Sequence, residues 1–450
     1  MADNDMKQGK RFRLRAWHLV LTTILLLAGL LSLYVRSSRN DAEQRLKALR
    51  NAGYPTTVAE LAEYTKLPEG TENAANAYMR AFAAFVPPAD EANTPILGKA
   101  RLPDRGASLS EPMAKAISDC LASNSECLAL LHEAGGVEHC RYEWDYADEL
   151  LLWKTQPHRD SVKHCGLLLY LSTVFHAHTG DANAVVTCIH DGFRLAESMR
   201  HEPGKIGHLV RIASRSSVLL GLERALSQVP FTQQQLEDLD RMLAASVVTL
   251  DLNDALITER CFAIEKFRDM ERGGAPPLKL LIHTGELILW VPGIRERGLP
   301  DTLDYMADCI EAADLPVRER TVRFRQITDA VQARSIPHVK AKVWAPLFTE
   351  RLFELDPRIR VHFVLARTAL AIELYRLATG DVPGQLANLV PGYLEQVPLD
   401  PFDGASIRYR RTEPGYTLWS VMEDGRDNGR KEKDRVGQGE PHDLCFIITR

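Results

Sequence analysis

The stretch Trp17-His-Leu-Val-Leu-Thr-Thr-Ile-Leu-Leu-Leu-Ala-Gly-Leu-Leu-Ser-Leu-Tyr-Val35 is an apolar run in which only His18 can carry a charge. A helix rises about 1.5 Å per residue, so roughly 20 such residues cross a bilayer core of about 30 Å. The run therefore predicts one transmembrane helix over residues 16–36. Because the rest of the chain has the composition of a water-soluble protein, we expect one membrane anchor that carries a large domain.

Basic residues flank this run on both sides. Lys7, Lys10 and the cluster Arg11, Arg13 and Arg15 precede it, and no small-residue cleavage site ends it. These features are typical of an uncleaved signal anchor. Five further basic residues follow between positions 36 and 50, so the charge bias nearly cancels. The arginine cluster favours a cytoplasmic tail over residues 1–15, with the C-terminal domain outside the cytoplasmic (inner) membrane. A buried core helix is the alternative.

The overall composition limits the classes of function. The chain has 450 residues, 45% of them hydrophobic, and a net charge of −5. These values suit a globular protein of two or three domains and argue against a nucleic-acid partner. Eight cysteines occur without a Cys-x-x-Cys pair, so no disulfide framework is expected. We divide the soluble part into a helical segment with a linker (37–110), an all-α body (111–357) and a small C-terminal module (358–450).

Helical periodicity dominates the body. A stripe of apolar residues ends at Gly180, and a second helix follows Asp181, which resembles one tetratricopeptide-type (TPR-like) hairpin. No clean 34-residue repeat follows, so we predict an irregular all-α body. Further helices are predicted in four segments: 205–228, 232–272, 317–334 and 358–379. The Pro- and Gly-rich segments 273–277 and 292–300 are predicted to interrupt this pattern.

The last 70 residues have a different pattern. Gly380 is predicted to end a helix, and alternating runs at 407–409 and 416–421 are joined by Pro414-Gly415, which indicates a β-hairpin. Residues 444–448 supply a third short strand. The predicted fold class is therefore mainly α, with a small α+β C-terminal module that contains a short antiparallel sheet.

This module resembles the globular head of type II secretion pseudopilins of the major, G-type class. The resemblance rests on Leu370–Gly380, on Val397-Pro-Leu-Asp-Pro-Phe-Asp-Gly404, and on Tyr416-Thr-Leu-Trp-Ser-Val followed by Asp424-Gly425-Arg-Asp427. It covers under a fifth of the chain. The prepilin start is missing, and no acidic residue lies between Asp5 and Asp41, so a pseudopilus subunit is not expected.

In that family the closing loop binds calcium. The resemblance places the corresponding ligands at Asp424, Asp427 and Asp443, and carboxylate oxygens are the ligands that Ca²⁺ prefers. The extra basic residues in 430–435 and the pair Met422-Glu423 depart from the family pattern. A solvated loop without metal is the alternative interpretation.

As a whole the chain also resembles large membrane-anchored proteins of unknown function that are common in planctomycete-like bacteria. The matching residues are Ala52–Thr57, Glu72–Ala75, the helical body, and the ending that includes Asp400-Pro-Phe-Asp-Gly404. The resemblance implies a location in the cell envelope and attaches no activity to the chain.

Nine of the fourteen histidines lie between positions 132 and 208, and Cys140, Cys165 and Cys188 lie among them. Imidazole and thiolate are the usual zinc ligands, so a metal-dependent hydrolase that uses this segment is one hypothesis. His164 and His178 share a helix face, but about 21 Å of helix separates them. Surface histidines and hydrogen-bonded core histidines are the alternative.

The sequence contains no Gly-x-Ser-x-Gly elbow, no phosphate-binding Gly-x-x-x-x-Gly-Lys loop and no Gly-x-Gly-x-x-Gly fingerprint. The leading hypothesis is therefore a non-enzymatic envelope scaffold or interaction module with a protein partner. The alternatives are the metal-dependent hydrolase and a secretion accessory whose head is stabilised by calcium.

Overall fold

The computed structural model describes residues 2–144, 156–249, 251–271, 294–333, 339–432 and 442–450. These residues are mainly helical, and a three-stranded antiparallel sheet lies near the C-terminus. The predicted fold class is therefore confirmed. The chain forms two compact units, which we call the anchor unit (Met1–Leu61, Arg260–Cys309 and Gln326–Leu347) and the main unit (Ala62–Glu259, Ile310–Arg325 and Phe348–Arg450).

The first helix, α1 (Ala2–Asn51), contains the apolar run and continues past it without a break. Its part from Trp17 to Asn51 is long and apolar enough to cross a membrane, and its apolar window is not buried in the protein. Leu26 and Leu33 are 68% and 67% exposed. The expected apolar N-terminal helix is therefore present, with its apolar side chains available to a non-aqueous environment.

The end of α1 packs within the anchor unit. Leu46 joins a small apolar cluster with Ile264 and Leu303. The next helix, α2 (Val58–Tyr64), begins directly after Thr57, whose Oγ1 accepts from the backbone N–H of Glu60 at 3.0 Å. This cap satisfies one of the free N–H groups at the start of the helix.

The remaining helices follow in chain order. They are α3 (Ala75–Ala83), α4 (Glu111–Ser123), α5 (Ser125–Gly135), α6 (Pro157–Thr179), α7 (Ala182–Glu197), α8 (Gly204–Gln228), α9 (Gln233–Val248), α10 (Leu252–Glu271), α11 (Ile294–Ala313), α12 (Val317–Ala333) and α13 (Val339–Thr379).

Helices α6 and α7 form the hairpin that the sequence predicts at Gly180. Gly180 has a φ of +80°, a conformation that favours glycine, and it follows the last residue of α6. Asp181 caps α7, since its side chain accepts a hydrogen bond from the backbone N–H of Ala184 at 3.0 Å. The turn is therefore encoded by two adjacent residues.

The core of the main unit lies between α7, α8, α9, α13 and the sheet. Close approach of α7 to α8 requires Gly192, because a Cβ there would lie 2.6 Å from Cγ2 of Val218. Phe193 of α7 stacks on Phe363 of α13 with ring centroids 5.8 Å apart. The helical body and the C-terminal residues thus share one apolar core.

The sheet consists of β1 (Arg408–Arg411), β2 (Tyr416–Ser420) and β3 (Leu444–Ile448), paired in that order. This confirms the predicted hairpin and third strand. Gly415 in the hairpin turn has a φ of +88°, and a Cβ there would lie 1.9 Å from the carbonyl oxygen of Ile448. The backbone N–H of Ile447 donates to Oε1 of Glu223 on α8 at 2.6 Å, which fixes the sheet against that helix.

Three predicted helix boundaries are wrong. The segment 232–272 contains two helices: α9 ends at Val248, and α10 begins at Leu252, where Asp251 caps it by accepting from the N–H of Asn253 at 2.8 Å. The helix predicted at 358–379 begins at Val339 and continues through Pro357. Residues 294–300 are helical, with Pro300 inside α11. The predicted break at 273–277 lies outside the described residues.

Candidate binding cleft in the helical body

A buried charge cluster joins the end of α7 to α8. Glu197 stands in the last turn of α7, and its Oε2 accepts a hydrogen bond from Nη2 of Arg211 at 2.7 Å. Its Oε1 accepts from Nη2 of Arg215, one helical turn further along α8. Thr249 Oγ1 accepts from the same Arg215 nitrogen at 2.7 Å. One carboxylate is therefore shared by two guanidinium groups.

The cluster leaves polar atoms without partners. Arg215 is fully buried, and its Nε and Nη1 have no hydrogen-bond partner among the described residues. The same holds in this part of the chain for Nε of Arg211 and for Nε2 of His208. Buried polar groups in folded proteins are almost always paired, so this concentration in one region is unusual.

The pKa values of Arg215 and His208 are lowered by burial and by the neighbouring positive charges. Burial, and next the charge of Arg211, lower the pKa of Arg215 to about 9. Burial and the neighbouring Arg211, Arg215 and Arg360 lower the pKa of His208 to about 3. His208 is therefore neutral at physiological pH. The pKa of Glu197 is lowered by both arginines against the opposing effect of burial, so it stays ionised.

Two cavities open beside this cluster. The smaller one, which we call the His208 cavity, has a volume of about 180 Å³. Its charged and histidine lining residues are Arg200, His201, Glu202, His208, Arg211, Asp251 and Asp254. The larger one, the His190 cavity, has a volume of about 370 Å³ and is lined by His139, His190 and Glu197 among others. Arg200 and His201 line both cavities, so the two are adjacent parts of one polar cleft.

One wall of the His208 cavity is formed by α10, which is tied to the start of α8. The N–H of Gly204 donates to Oγ1 of Thr258 at 2.8 Å, and the N–H of Lys205 donates to Oε1 of Glu259 at 2.6 Å. These bonds satisfy free N–H groups of the first turn of α8. They fix the positions of the α8 and α10 residues that line the cavity relative to one another.

Glu202 is the buried carboxylate of this cavity, and its oxygens are occupied. Oε2 lies 2.9 Å from Nε2 of His158 and accepts from Nε1 of Trp144 at 2.9 Å. Oε1 accepts from Nε of Arg159 at 2.7 Å. Gly207 packs directly on Glu202, since a Cβ there would lie 2.4 Å from its Cγ. Glu202 therefore supports the wall, with its charge compensated within the protein.

Several of the histidines that the sequence singles out contact carboxylates. Nδ1 of His132 lies 3.0 Å from Oδ2 of Asp191, and Nδ1 of His190 lies 3.0 Å from Oδ1 of the same carboxylate. His158 contacts Glu202, as described above. Hydrogen bonds to carboxylates are the ordinary environment of partly buried histidines, which fits the alternative interpretation of this segment.

The proposed zinc residues are distributed over separate contacts. His164 stacks on Phe85 with ring centroids 5.7 Å apart, and it shares the continuous helix α6 with His178. Cys165 lies 3.9 Å, sulfur to sulfur, from Cys127. Within the described residues, no group of three or more His, Cys, Asp or Glu side chains is arranged to hold a metal ion.

The predicted calcium residues lie in one loop after β2. Asp443 is 2% exposed, and its two carboxylate oxygens accept from the backbone N–H groups of Asn428 at 3.1 Å and Arg430 at 2.7 Å. Asp424 accepts from the N–H of Arg426 at 3.0 Å and from Nδ2 of Asn428 at 2.9 Å. Asn428 thus contacts both carboxylates.

Asp427 completes this loop. Its Oδ1 accepts from the N–H of Gly429 at 2.9 Å and from Nε1 of Trp419 at 3.2 Å. The three aspartates therefore orient the loop through its own N–H groups. The calcium assignment stays a prediction.

Sequence reasoning missed the residues of the charge cluster. A usable signal exists, because His208, Arg211 and Arg215 recur at a spacing of three and four residues, on one face of a helix that is otherwise rich in small and apolar residues. Thr249 gives no such signal, since it stands in the break between α9 and α10. Comparison of the chain with protein-family models, with curated proteins and with solved structures gave no match. The functional argument therefore rests on the structure of the chain itself.

Proposed function

We propose that this protein is a single-pass membrane-anchored protein of the cell envelope whose helical body acts as a non-enzymatic binding module. The observation that carries the proposal is α1. This single helix contains the exposed leucines and ends at Asn51, directly after Arg50. An exposed apolar surface of this length is unfavourable in water and favourable in a bilayer. The helix would hold the body at the membrane surface.

The proposed location is the cytoplasmic membrane, with the domain after residue 36 outside the cytoplasm. The Arg11, Arg13 and Arg15 cluster supports this orientation through the preference of basic residues for the cytoplasmic side. The likeness to membrane-anchored proteins of planctomycete-like bacteria supports the same location.

The polar cleft supports a binding role. Arg200 is exposed and lines both cavities, and His208 and Arg211 of α8 line the smaller one. A surface with charges that the protein does not pair internally can recognise a partner by electrostatic complementarity. The metal-dependent hydrolase is the weaker alternative, because no three His, Cys, Asp or Glu side chains among the described residues are arranged to hold a metal ion.

The second candidate is a secretion accessory with a pseudopilin-like head. It is favoured by the three aspartates that organise the loop after β2, with Asp443 buried at its base. In this hypothesis calcium would occupy the loop and stabilise the C-terminal module. A calcium-dependent rise in melting temperature is its test.

The anchor is tested by fractionation of cells that produce the full chain. We expect the protein in the membrane pellet after alkaline carbonate extraction, because an inserted helix resists extraction. A Leu25→Arg, Leu26→Arg double variant should move it to the soluble fraction, and the matched control is Arg36→Leu, Arg39→Leu, which leaves the apolar run intact. Protease added to spheroplasts should digest the domain after residue 36. Full extraction of the native chain would contradict the proposal.

A further inference from the structure

Two cysteines of the helical body are in direct contact. Cys127 lies in the first turn of α5, Cys165 lies near the middle of α6, and their thiol sulfurs are 3.9 Å apart. Both side chains are fully buried, and both residues are thiols in the structure. A sulfur–sulfur bond is about 2.05 Å long, so each sulfur has to move by about 1 Å, which rotation about the Cα–Cβ bonds can supply.

The backbone around this pair is held in place by hydrogen bonds. Asn124, directly before α5, is fully buried, and its Nδ2 donates to the carbonyl oxygen of Val86 at 2.8 Å. Its Oδ1 accepts from the N–H of the same Val86 at 2.8 Å. At the other end of α5, the carbonyl oxygen of Gly135 accepts from Nε of Arg194 on α7 at 2.8 Å. The folded chain therefore keeps the two thiols next to each other.

Other buried cysteines contact oxygen atoms. Sγ of Cys188 donates to Oγ of Ser172 at 3.2 Å, and Sγ of Cys261 donates to the carbonyl oxygen of Thr57 at 3.2 Å. The Cys127–Cys165 pair instead lies in an apolar cluster that includes Leu131, Val162 and Leu168. A disulfide bond has no strong donor that would need a partner, so it can be buried in such a cluster at no polar cost.

We infer that Cys127 and Cys165 form a disulfide bond when the chain folds outside the cytoplasm. The inference rests on the location proposed above, because disulfides persist in oxidising compartments such as the bacterial periplasm and are rare in the cytoplasm. The bond would join α5 to α6 and close a loop whose ends are 38 positions apart in the sequence. Such a link restricts the unfolded chain and thereby stabilises the folded body.

The oxidant is a compound or protein that carries a disulfide, RS–SR, such as oxidised glutathione or a disulfide oxidoreductase. The thiolate of one cysteine attacks a sulfur of RS–SR, which forms a mixed disulfide and releases RS⁻. The thiolate of the second cysteine then attacks the protein sulfur of the mixed disulfide and releases the other RS⁻. Two electrons pass to the oxidant, and the two cysteine protons end on the two RSH products. Because both thiols are buried in the folded body, this exchange precedes the packing of α5 on α6.

The test is peptide mapping of the full chain by mass spectrometry. Cells that produce the chain are quenched in acid, and the denatured protein is alkylated with N-ethylmaleimide before digestion with trypsin and a glutamate-specific protease. Cleavage after Glu126 and Glu133 isolates Cys127 from the other cysteines. We expect a linked pair of peptides that joins Cys127 to Cys165, lighter by two hydrogen atoms than the separate peptides and separated by a reductant. Cys188 should carry the alkylating group.

Variants assign the link. Cys127→Ser should abolish the linked pair and leave Cys165 alkylated. The matched control is Cys188→Ser, which changes another buried cysteine of the body and should keep the linked pair. The map of the native chain tests the inference even where a variant fails to fold.

Two results would overturn the inference. In one, external protease digests the domain in spheroplasts, yet Cys127 and Cys165 both carry N-ethylmaleimide. In the other, Cys127 is linked to a different cysteine.

The proposed location fails separately. A domain that protease does not reach in spheroplasts has stayed in the cytoplasm, and the pair is then tested by refolding the reduced full chain with oxidised glutathione. A linked pair in that experiment overturns only the location. Its absence overturns the inference as well.

Discussion

Two carboxylates of the main unit, those of Asp400 and Glu197, differ in how completely their surroundings are hydrogen-bonded. Asp400, before β1, is fully buried and accepts from Oγ of Ser420 at 2.9 Å, from the N–H of Val421 at 3.0 Å and from Nη1 of Arg408 at 2.6 Å. Glu197, at the end of α7, is shared by two arginines, and these keep nitrogens that have no partner among the described residues. Within the described part of the chain, the first site is complete and the second is not.

We interpret the first as a structural polar site and the second as part of the proposed binding cleft. A completed network around Asp400 holds β2 against the preceding loop and leaves nothing for a ligand. The buried nitrogens of Arg211 and Arg215 that have no partner among the described residues are unfavourable for stability, because a buried donor without a partner loses its hydration. We therefore expect the two sites to respond in opposite ways when they are changed.

The largest effect is expected at the completed site. Asp400→Ala removes the acceptor of Arg408, Ser420 and the Val421 N–H at once and should lower the free energy of unfolding by about 3–5 kcal/mol. Urea denaturation followed by tryptophan fluorescence measures it. The control Asp381→Ala removes an exposed ion pair with Arg411 and should leave stability almost unchanged. Equal losses of unfolding free energy in both variants would contradict the assignment of Asp400 to a structural site.

Acid should destabilise the body through its buried histidines. The pKa of His208 is lowered to about 3, and burial, with a smaller effect of Arg105, lowers the pKa of His362 to about 4. The unfolded chain binds these protons below about pH 6.5, whereas the folded chain does not. Stability is therefore full above pH 6.5 and is lost as pH falls toward those lower values.

Each of these histidines contributes up to about 1.4 kcal/mol of lost stability per pH unit, or roughly 2 kcal/mol between pH 6.5 and 5. Unfolding curves across this range should have a shallower pH dependence in His208→Gln. The matched control is His132→Gln, whose side chain is 63% exposed. An unchanged pH slope in His208→Gln would show that this ring is not held neutral in the folded state.

The carboxylates of Asp424, Asp427 and Asp443 allow a test of whether a ligand from outside the protein, here calcium, binds in the C-terminal module. If calcium binds with a Kd of about 10⁻³ M, 10 mM Ca²⁺ should add roughly 1.4 kcal/mol to the stability. Differential scanning calorimetry should show a rise in Tm that Asp424→Ala removes and that Mg²⁺ does not reproduce. Identical melting curves with Ca²⁺ and with Mg²⁺ would mean that the three aspartates contact only N–H donors of the protein and do not bind calcium specifically.

The smallest effect is expected in the incomplete cluster. Arg215→Met removes a buried charge with two unpaired nitrogens, while Arg211 still neutralises Glu197. The free energy of unfolding should therefore change by less than about 1 kcal/mol or increase. Arg408→Met at the completed site should cost several times more in the same denaturation experiment. A larger loss in Arg215→Met would mean that the cluster is a structural element.

Much of the local structure could be predicted because its causes lie close together in the sequence. Gly180 and Asp181 end one helix and cap the next, and Thr57 caps α2 from three residues away. The hairpin at Pro414-Gly415 follows from turn chemistry and alternating strands. The end of α9 at Val248 was missed because apolar periodicity continues beyond it, while Asp251 caps the start of α10.

The sequence by itself determined the apolar N-terminal helix, the helical body and the C-terminal strands, since each depends on periodicity, caps or turns within a few residues. Only the tertiary structure decided which charges meet. Glu197 and Thr249 are 52 residues apart, and the His208 cavity unites the ends of α7, α8 and α10. Whether a buried arginine is paired depends on how these helices pack, and no local pattern carries that information.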